Sequence, residues 1–302
     1  MKKFYLLPVL FLLSIAASAQ SQGWLWARSN SNDAHSSGNT VTVSTDGSVY
    51  AAGSFQDVAL TFGPDTYTND GMYNKMFLVK YDANGLLQWS RGAAGSTGLS
   101  QIDAMTVDED GYVTGKFSET LTIQNVSITN SNFTAFAAKF DSDGDIQWLQ
   151  QVGSADFTSA SDITNYGGFI YVSGSFSGAT MTFPSVVLNN NGASDVYIAK
   201  YDLQGNFVSA DSFGGAGQEN ATSIEADSFG NLYIAGNFEN SATFAGTTVT
   251  SNGQTDIFLV KYNNQAQPQW MKTYGGTSYD GALSLAVDAD SNVIASYRFI
   301  NT

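Results

Sequence analysis

Tyr50-Ala51-Ala52-Gly53-Ser54-Phe55 is the stretch that decides the fold, because it comes back three times. The copies are Tyr112-Val113-Thr114-Gly115-Lys116-Phe117, Tyr171-Val172-Ser173-Gly174-Ser175-Phe176 and Tyr233-Ile234-Ala235-Gly236-Asn237-Phe238, at intervals of 62, 59 and 62 residues. A second signature lies between them, at Lys80-Tyr81-Asp82, Lys139-Phe140-Asp141, Lys200-Tyr201-Asp202 and Lys261-Tyr262-Asn263. A third, Gln-Trp, stands at Gln88-Trp89, Gln147-Trp148 and Gln269-Trp270, with Ser209 in the corresponding place of the remaining copy. Self-similarity of this length means that each unit buries its apolar face against its neighbours. The repeated Tyr, Lys and Trp are therefore read as structural positions, the Lys as partners of nearby acids or carbonyls and the Trp as packing between units.

Phased on the Trp, the chain divides into units near 26–88, 89–147, 148–208 and 209–269, with a partial unit over 270–302. Within the first unit, β-branched and aromatic residues alternate over 40–44, 48–55, 60–62, 76–81 and 86–91, punctuated by Asp46-Gly47 and Asn84-Gly85. Period-two alternation broken by Asp-Gly and Asn-Gly is the hairpin signal. No long stretch has helical periodicity, so an all-β chain is expected. Four or more strands in a unit of about 61 residues suit a β-propeller, whose blades are four-stranded sheets around an axis.

The clearest copy runs from Ala226-Asp227 through Gly230-Asn231-Leu232-Tyr233 to Gly236-Asn237-Phe238, then from Phe258 to Lys261-Tyr262. In this pattern the chain resembles the bacterial SBBP-type β-propeller repeats of exported, Bacteroidota-like surface proteins, over about residues 23 to 302. Ser209, Asn263 and the turn Asn165-Tyr166-Gly167-Gly168 depart from it. The last unit stops before any counterpart of Lys261-Tyr262 or Trp270, so a longer natural chain is expected, with Gly23–Trp26 as a candidate closing strand. A C-terminal sorting domain is what the resemblance implies for such a continuation.

Lys2-Lys3, the apolar run from Phe4 to Ala17 and the small-residue triplet Ala17-Ser18-Ala19 have the three parts of a secretory signal peptide, residues 1–19, with a repeat domain over 20–302. A secreted or cell-surface protein is expected, the periplasm being the alternative. The apolar run is short for a spanning helix, so membrane insertion is not expected. With no Cys, disulfides and thiolate metal sites are excluded. The formal charge of −15 disfavours nucleic acid, whose phosphates would be repelled.

Chemistry has few places to start. His35 is the only histidine and lies in a Ser/Asn-rich stretch, so a His-based triad or a multi-His metal site cannot be assembled. Asp141, Asp143 and Asp145 bring three carboxylates within five residues, and calcium is the cation such oxygens suit. The Gly of that segment is misplaced for a calcium loop and no acid closes it, so a hairpin turn is the simpler account and no cofactor is expected. Glu109, Glu119, Glu219, Glu225 and Glu239 are candidates for carboxylate chemistry on polysaccharide; Glu225 is the least repeat-like of them. A non-catalytic repeat protein is the leading expectation, binding an unidentified surface protein or glycan in adhesion or scaffolding, and self-associating through the incomplete fifth unit. A glycoside hydrolase or lyase is the alternative.

Overall fold

The computed structural model describes Ala27 and residues 35–56, 58–93 and 96–300. Among these the chain is all-β, and successive stretches form antiparallel sheets. The first sheet joins β1 (Ser36–Val43), β2 (Val49–Phe55), β5 (Lys75–Tyr81) and β6 (Leu87–Gly92), with β3 (Ala59–Phe62) and β4 (Asp65–Thr68) as a separate hairpin between β2 and β5. The second orders β7 (Ser100–Val107), β8 (Gly111–Ile123), β9 (Val126–Phe140) and β10 (Ile146–Gln151); here the hairpin is a continuous extension of β8 and β9. The third has β11 (Phe157–Tyr166), β12 (Phe169–Ser177), β15 (Asp195–Asp202) and β16 (Phe207–Gly215), again with a detached hairpin of β13 (Thr180–Thr182) and β14 (Val187–Asn189). The fourth has β17 (Glu219–Ala226), β18 (Leu232–Phe244), β19 (Thr247–Tyr262) and β20 (Pro268–Tyr274), followed by the pair β21 (Gly281–Val287) and β22 (Val293–Arg298). No sheet closes on itself among the described residues, and Gly214-Gly215 hydrogen-bond to Ala242-Thr243, linking the third and fourth sheets.

Most of the core lies in the interfaces between successive sheets, and Phe55, Leu60, Phe62, Phe77 and Val79 form a further cluster between the first sheet and its hairpin. Tyr50, Met76 and Leu78 of the first sheet pack with Phe117, Phe136 and Phe140 of the second, and Phe213 of the third packs with Phe238, Phe244 and Phe258 of the fourth. The apolar alternation of each strand thus serves a neighbour on each side, as the repeat requires.

Every first strand carries a β-bulge at the same place, at Asn39, Asp103, Ser161, Thr222 and Leu283. The repeated glycine of the deciding motif lies against it. A Cβ on Gly53, Gly115, Gly174 or Gly236 would fall on the carbonyl of Ser37, Gln101, Ser159 or Asn220. Glycine is required there by close approach of backbone, not by a left-handed φ. First strands lie beside one another from sheet to sheet. Asn39 Nδ2 donates to the Ile102 carbonyl at 2.8 Å, and Ser223 Oγ and the Ile224 amide both donate to Asp162 Oδ2, at 2.8 and 2.9 Å.

The sequence reading of the first unit missed β4 and began its first strand late, because Ser36–Asn39 has no apolar alternation and gains its pairing only through β2. Gly23–Trp26 and the signal segment lie outside the described residues.

Candidate functional site

The turn between the third and fourth strands of each sheet is built by one side chain. Asp141 Oδ1 accepts from the amides of Asp143 and Asp145, at 3.1 and 2.9 Å, and its Oδ2 accepts from Gln147 at 2.7 Å. Asp82, Asp202 and Asn263 accept in the same way from the amides two and four residues on. This is the Asx turn, which Asn makes as well as Asp, so Asn263 replaces the acid without loss. Asp145 Oδ1 meets Arg91 at 3.3 Å and Gln124 at 2.9 Å. Asp141 and Asp145 are thus held by donors within the protein rather than gathered about a common point, and Asp143 is exposed.

On the strands flanking the turn, the three signatures meet in one row. Tyr50 pairs with Lys80 and Lys80 with Trp89; Tyr112 with Lys139 and that with Trp148; Tyr171 with Lys200 and that with Ser209; Tyr233 with Lys261 and that with Trp270. Each ammonium lies over its tyrosine ring, at 5.2, 5.5, 5.3 and 5.1 Å from the centroid in chain order. Such contacts contribute about 0.5–1 kcal/mol when partly exposed. Lys139 also makes an ion pair with Asp110 at 2.8 Å, and Lys80 donates to the Ser142 carbonyl at 3.1 Å.

The Trp of one sheet reaches into the turn of the next. Trp89 Nε1 donates to the Ser142 carbonyl at 2.9 Å, and Trp148 Nε1 to the Leu203 carbonyl at 3.1 Å. Each ring covers the turn glycine closely: a Cβ on Gly144 would lie 2.6 Å from the Trp89 ring, and one on Gly205 would lie 2.8 Å from Trp148. Arg91 completes the first of these grips through the carbonyls of Gly144 and Asp143, at 2.6 and 3.0 Å.

Two successive junctions bury pairs of acids that the sequence reading did not bring together. Asn191-Gly192-Ala193-Ser194-Asp195 recurs as Asn252-Gly253-Gln254-Thr255-Asp256, and Gly214-Gly215 with Glu219 recurs as Gly275-Gly276 with Asp280. That double repeat was the available signal. Asp195, Glu219, Asp256 and Asp280 are all buried. Glu219 Oε2 accepts from the Gly215 amide at 2.8 Å, and Asp195 Oδ2 from Asn191 Nδ2 at 2.9 Å. Asp195 Oδ1 and Glu219 Oε1 have no hydrogen-bond partner. Burial, then the charges of Asp195 and Glu239, push the Glu219 carboxyl up to about 8, which leaves it a neutral acid at pH 7.

A third acidic pair, Asp162 and Glu225, lies on the first strands of the third and fourth sheets. Burial raises Asp162 to about 6, and burial together with the Asp162 charge raises Glu225 to about 7. Of the remaining candidates, Glu109 and Glu119 are exposed and Glu239 is half-buried. His35 is exposed immediately before β1, where its carbonyl accepts from the Gln56 amide at 2.9 Å. Among the described residues no group of three or more His, Cys, Asp and Glu is placed to hold a metal ion, and no helix is long and apolar enough to cross a membrane.

No protein-family profile matches the chain. It is similar to an uncharacterized WD repeat-containing protein, L264, of Acanthamoeba polyphaga mimivirus, at 23% identity over 86% of this chain and 24% of that protein. It is also similar to the regulatory protein FlaEY of Caulobacter vibrioides, at 25% identity over 87% of this chain and 30% of that protein. The chain therefore spans less than a third of the length of either curated relative. Both likenesses are distant, and the first is to a protein named for its WD repeats.

Proposed function

We propose that the four sheets are consecutive blades of a β-propeller, of the exported SBBP type that the sequence resembles. On this reading the chain is a non-catalytic binding or adhesion scaffold at the cell surface or outside the cell. The observation that carries it is the Tyr–Lys–Trp row. The Tyr and Lys of every sheet are engaged with one another, Trp89 and Trp148 grip the turn of the next sheet, and acids with raised affinity for protons lie at the junction of the third and fourth sheets. Glu219 has no exposed surface from which to protonate a substrate. A WD-repeat relative supports interaction with other macromolecules, for which a surface protein or a glycan is the partner proposed here. The edge of β22, beside exposed Leu283 and Ile294, is a further place for a second copy to pair.

The test has three arms. Protease treatment of intact cells should remove the protein while leaving cytoplasmic controls whole; protection until the outer envelope is opened would place it in the periplasm instead. Small-angle scattering should give a compact ring-like particle, and an extended rod would refute the propeller. Incubation with a panel of polysaccharides should release no reducing ends and no unsaturated sugars. Turnover abolished by Glu225→Gln would replace this reading with that of a glycoside hydrolase or lyase.

A further inference from the structure

The junction between the third and fourth sheets breaks the pattern twice, and the two breaks face each other. Ser209 stands opposite Lys200 where the other sheets have Trp89, Trp148 and Trp270. The turn of the following sheet has Ala266, at φ +58, where the turns that receive Trp89 and Trp148 have Gly144 and Gly205. The distances at those glycines explain the exchange. With a ring at 209, the Cβ of residue 266 would meet it at less than van der Waals distance; with Ser at 209, the Cβ is free to be present. The space is not refilled. A cavity of ≈ 400 Å³ opens there, lined among others by Tyr171, Lys200, Ser209, Asp211, Tyr262 and Gln267. That volume lies within the range of small-ligand sites, roughly 300–1,000 Å³.

The charges in the cavity differ in strength. Lys200 is half-buried, with its ammonium 3.7 Å from the Phe169 centroid and 5.3 Å from that of Tyr171. Unlike Lys80 and Lys139, it has no carbonyl or carboxylate partner among the described residues. Asp211 is exposed at the rim, where water and salt screen it. An anion entering the cavity gains the less screened partner.

We propose that this cavity is a binding site for a small planar aromatic carboxylate, its ring occupying the place of the missing indole beside Tyr171 and its carboxylate meeting Lys200. The site rests on the residue exchange and the cavity alone, and does not require the scaffold role proposed above.

Saturation-transfer NMR and calorimetry on the full chain test it with four probes: indole-3-acetate, neutral indole, tryptamine and cellobiose. Indole-3-acetate should bind with 1:1 stoichiometry and at least about tenfold more tightly than tryptamine or cellobiose, with indole between. Lys200→Met should remove that preference for the anion. The double variant Ser209→Trp/Ala266→Gly restores the arrangement of the other junctions, so it should abolish binding and melt at a higher temperature than the wild type. Absence of binding by any aromatic probe at millimolar concentration overturns the proposal. So do tryptamine binding as tightly as the anion, cellobiose binding more tightly than either, or binding unchanged in the double variant. If the double variant does not fold, the Lys200→Met comparison decides by itself.

Discussion

Glu219→Gln isolates the contribution of the buried acid pair. The carboxyl has its ordinary value of 4.5 in the unfolded chain and about 8 in the fold. A raised value means that between these limits the folded state holds a proton that the unfolded state has released. The stability associated with that proton is complete below pH 4.5 and is lost as the pH rises through 8. Each unit of displacement is worth about 1.4 kcal/mol, so the upper bound on the loss is on the order of 5 kcal/mol, a large part of a typical domain's stability of about 5–15 kcal/mol. Gln is nearly isosteric with the neutral acid, keeps an acceptor for the Gly215 amide, and cannot ionise beside Asp195 and Glu239. Urea unfolding at constant ionic strength from pH 4 to 9 should show the wild type weakening as the pH rises. The variant should weaken less and become the more stable of the two above about pH 8. Glu225 and Asp162 titrate lower, near 7 and 6, so they leave a residual slope below pH 7 in both proteins. Parallel curves for the two proteins would refute the assignment of a neutral carboxyl to Glu219.

Trp148→Ala removes a buried ring and its bond to the Leu203 carbonyl, and should cost about 3–5 kcal/mol, read as a shift of the urea midpoint at unchanged slope. Gly174→Ala places a methyl on the Ser159 carbonyl at the bulge, and should abolish folding or cost more than the Trp148 change, as circular dichroism would show. Gly205→Ala should be strongly destabilising in the wild type and much milder combined with Trp148→Ser, because the second change makes the junction resemble Ser209 with Ala266; equal penalties in both backgrounds would mean that ring contact is not the cause. Treatment with EDTA should leave the melting temperature within about a degree, since Asp141 and Asp145 already have donors on their oxygens; a fall reversed by calcium would make Asp141, Asp143 and Asp145 ligands.

The register of the sheets was legible because the repeat writes each strand four times. Tyr50 opposite Lys80, and Lys80 opposite Trp89, follow from strands whose spacing hardly varies between copies. What the sequence did not disclose lies where units differ or where partners are distant in the chain. β3 showed as a short apolar run, but β4 has too few apolar residues to stand out; in the second and fourth sheets the same region extends the long strands. Asp195 and Glu219 could not be paired from spacing alone, since each looks like a loop acid until the Gly214 and Gly215 backbone closes over them. The Ser209 departure was visible as a missing Trp; that Ala266 answers it required knowing which turn the Trp of the preceding sheet covers.

The fit of Trp to turn glycine sets rules for how such a chain can be rearranged. A sheet whose last strand carries Trp needs a glycine at the fourth place of the next sheet's turn, and a sheet whose turn has Ala266 can follow only a small residue such as Ser209. Duplicating or deleting a sheet by recombination would preserve matched neighbours among the first, second and third sheets. Moving the fourth sheet behind one that carries Trp would drive a methyl into an indole. The third and fourth sheets therefore fit only as a couple, and the order of the repeats is written into their junctions rather than into the strands themselves.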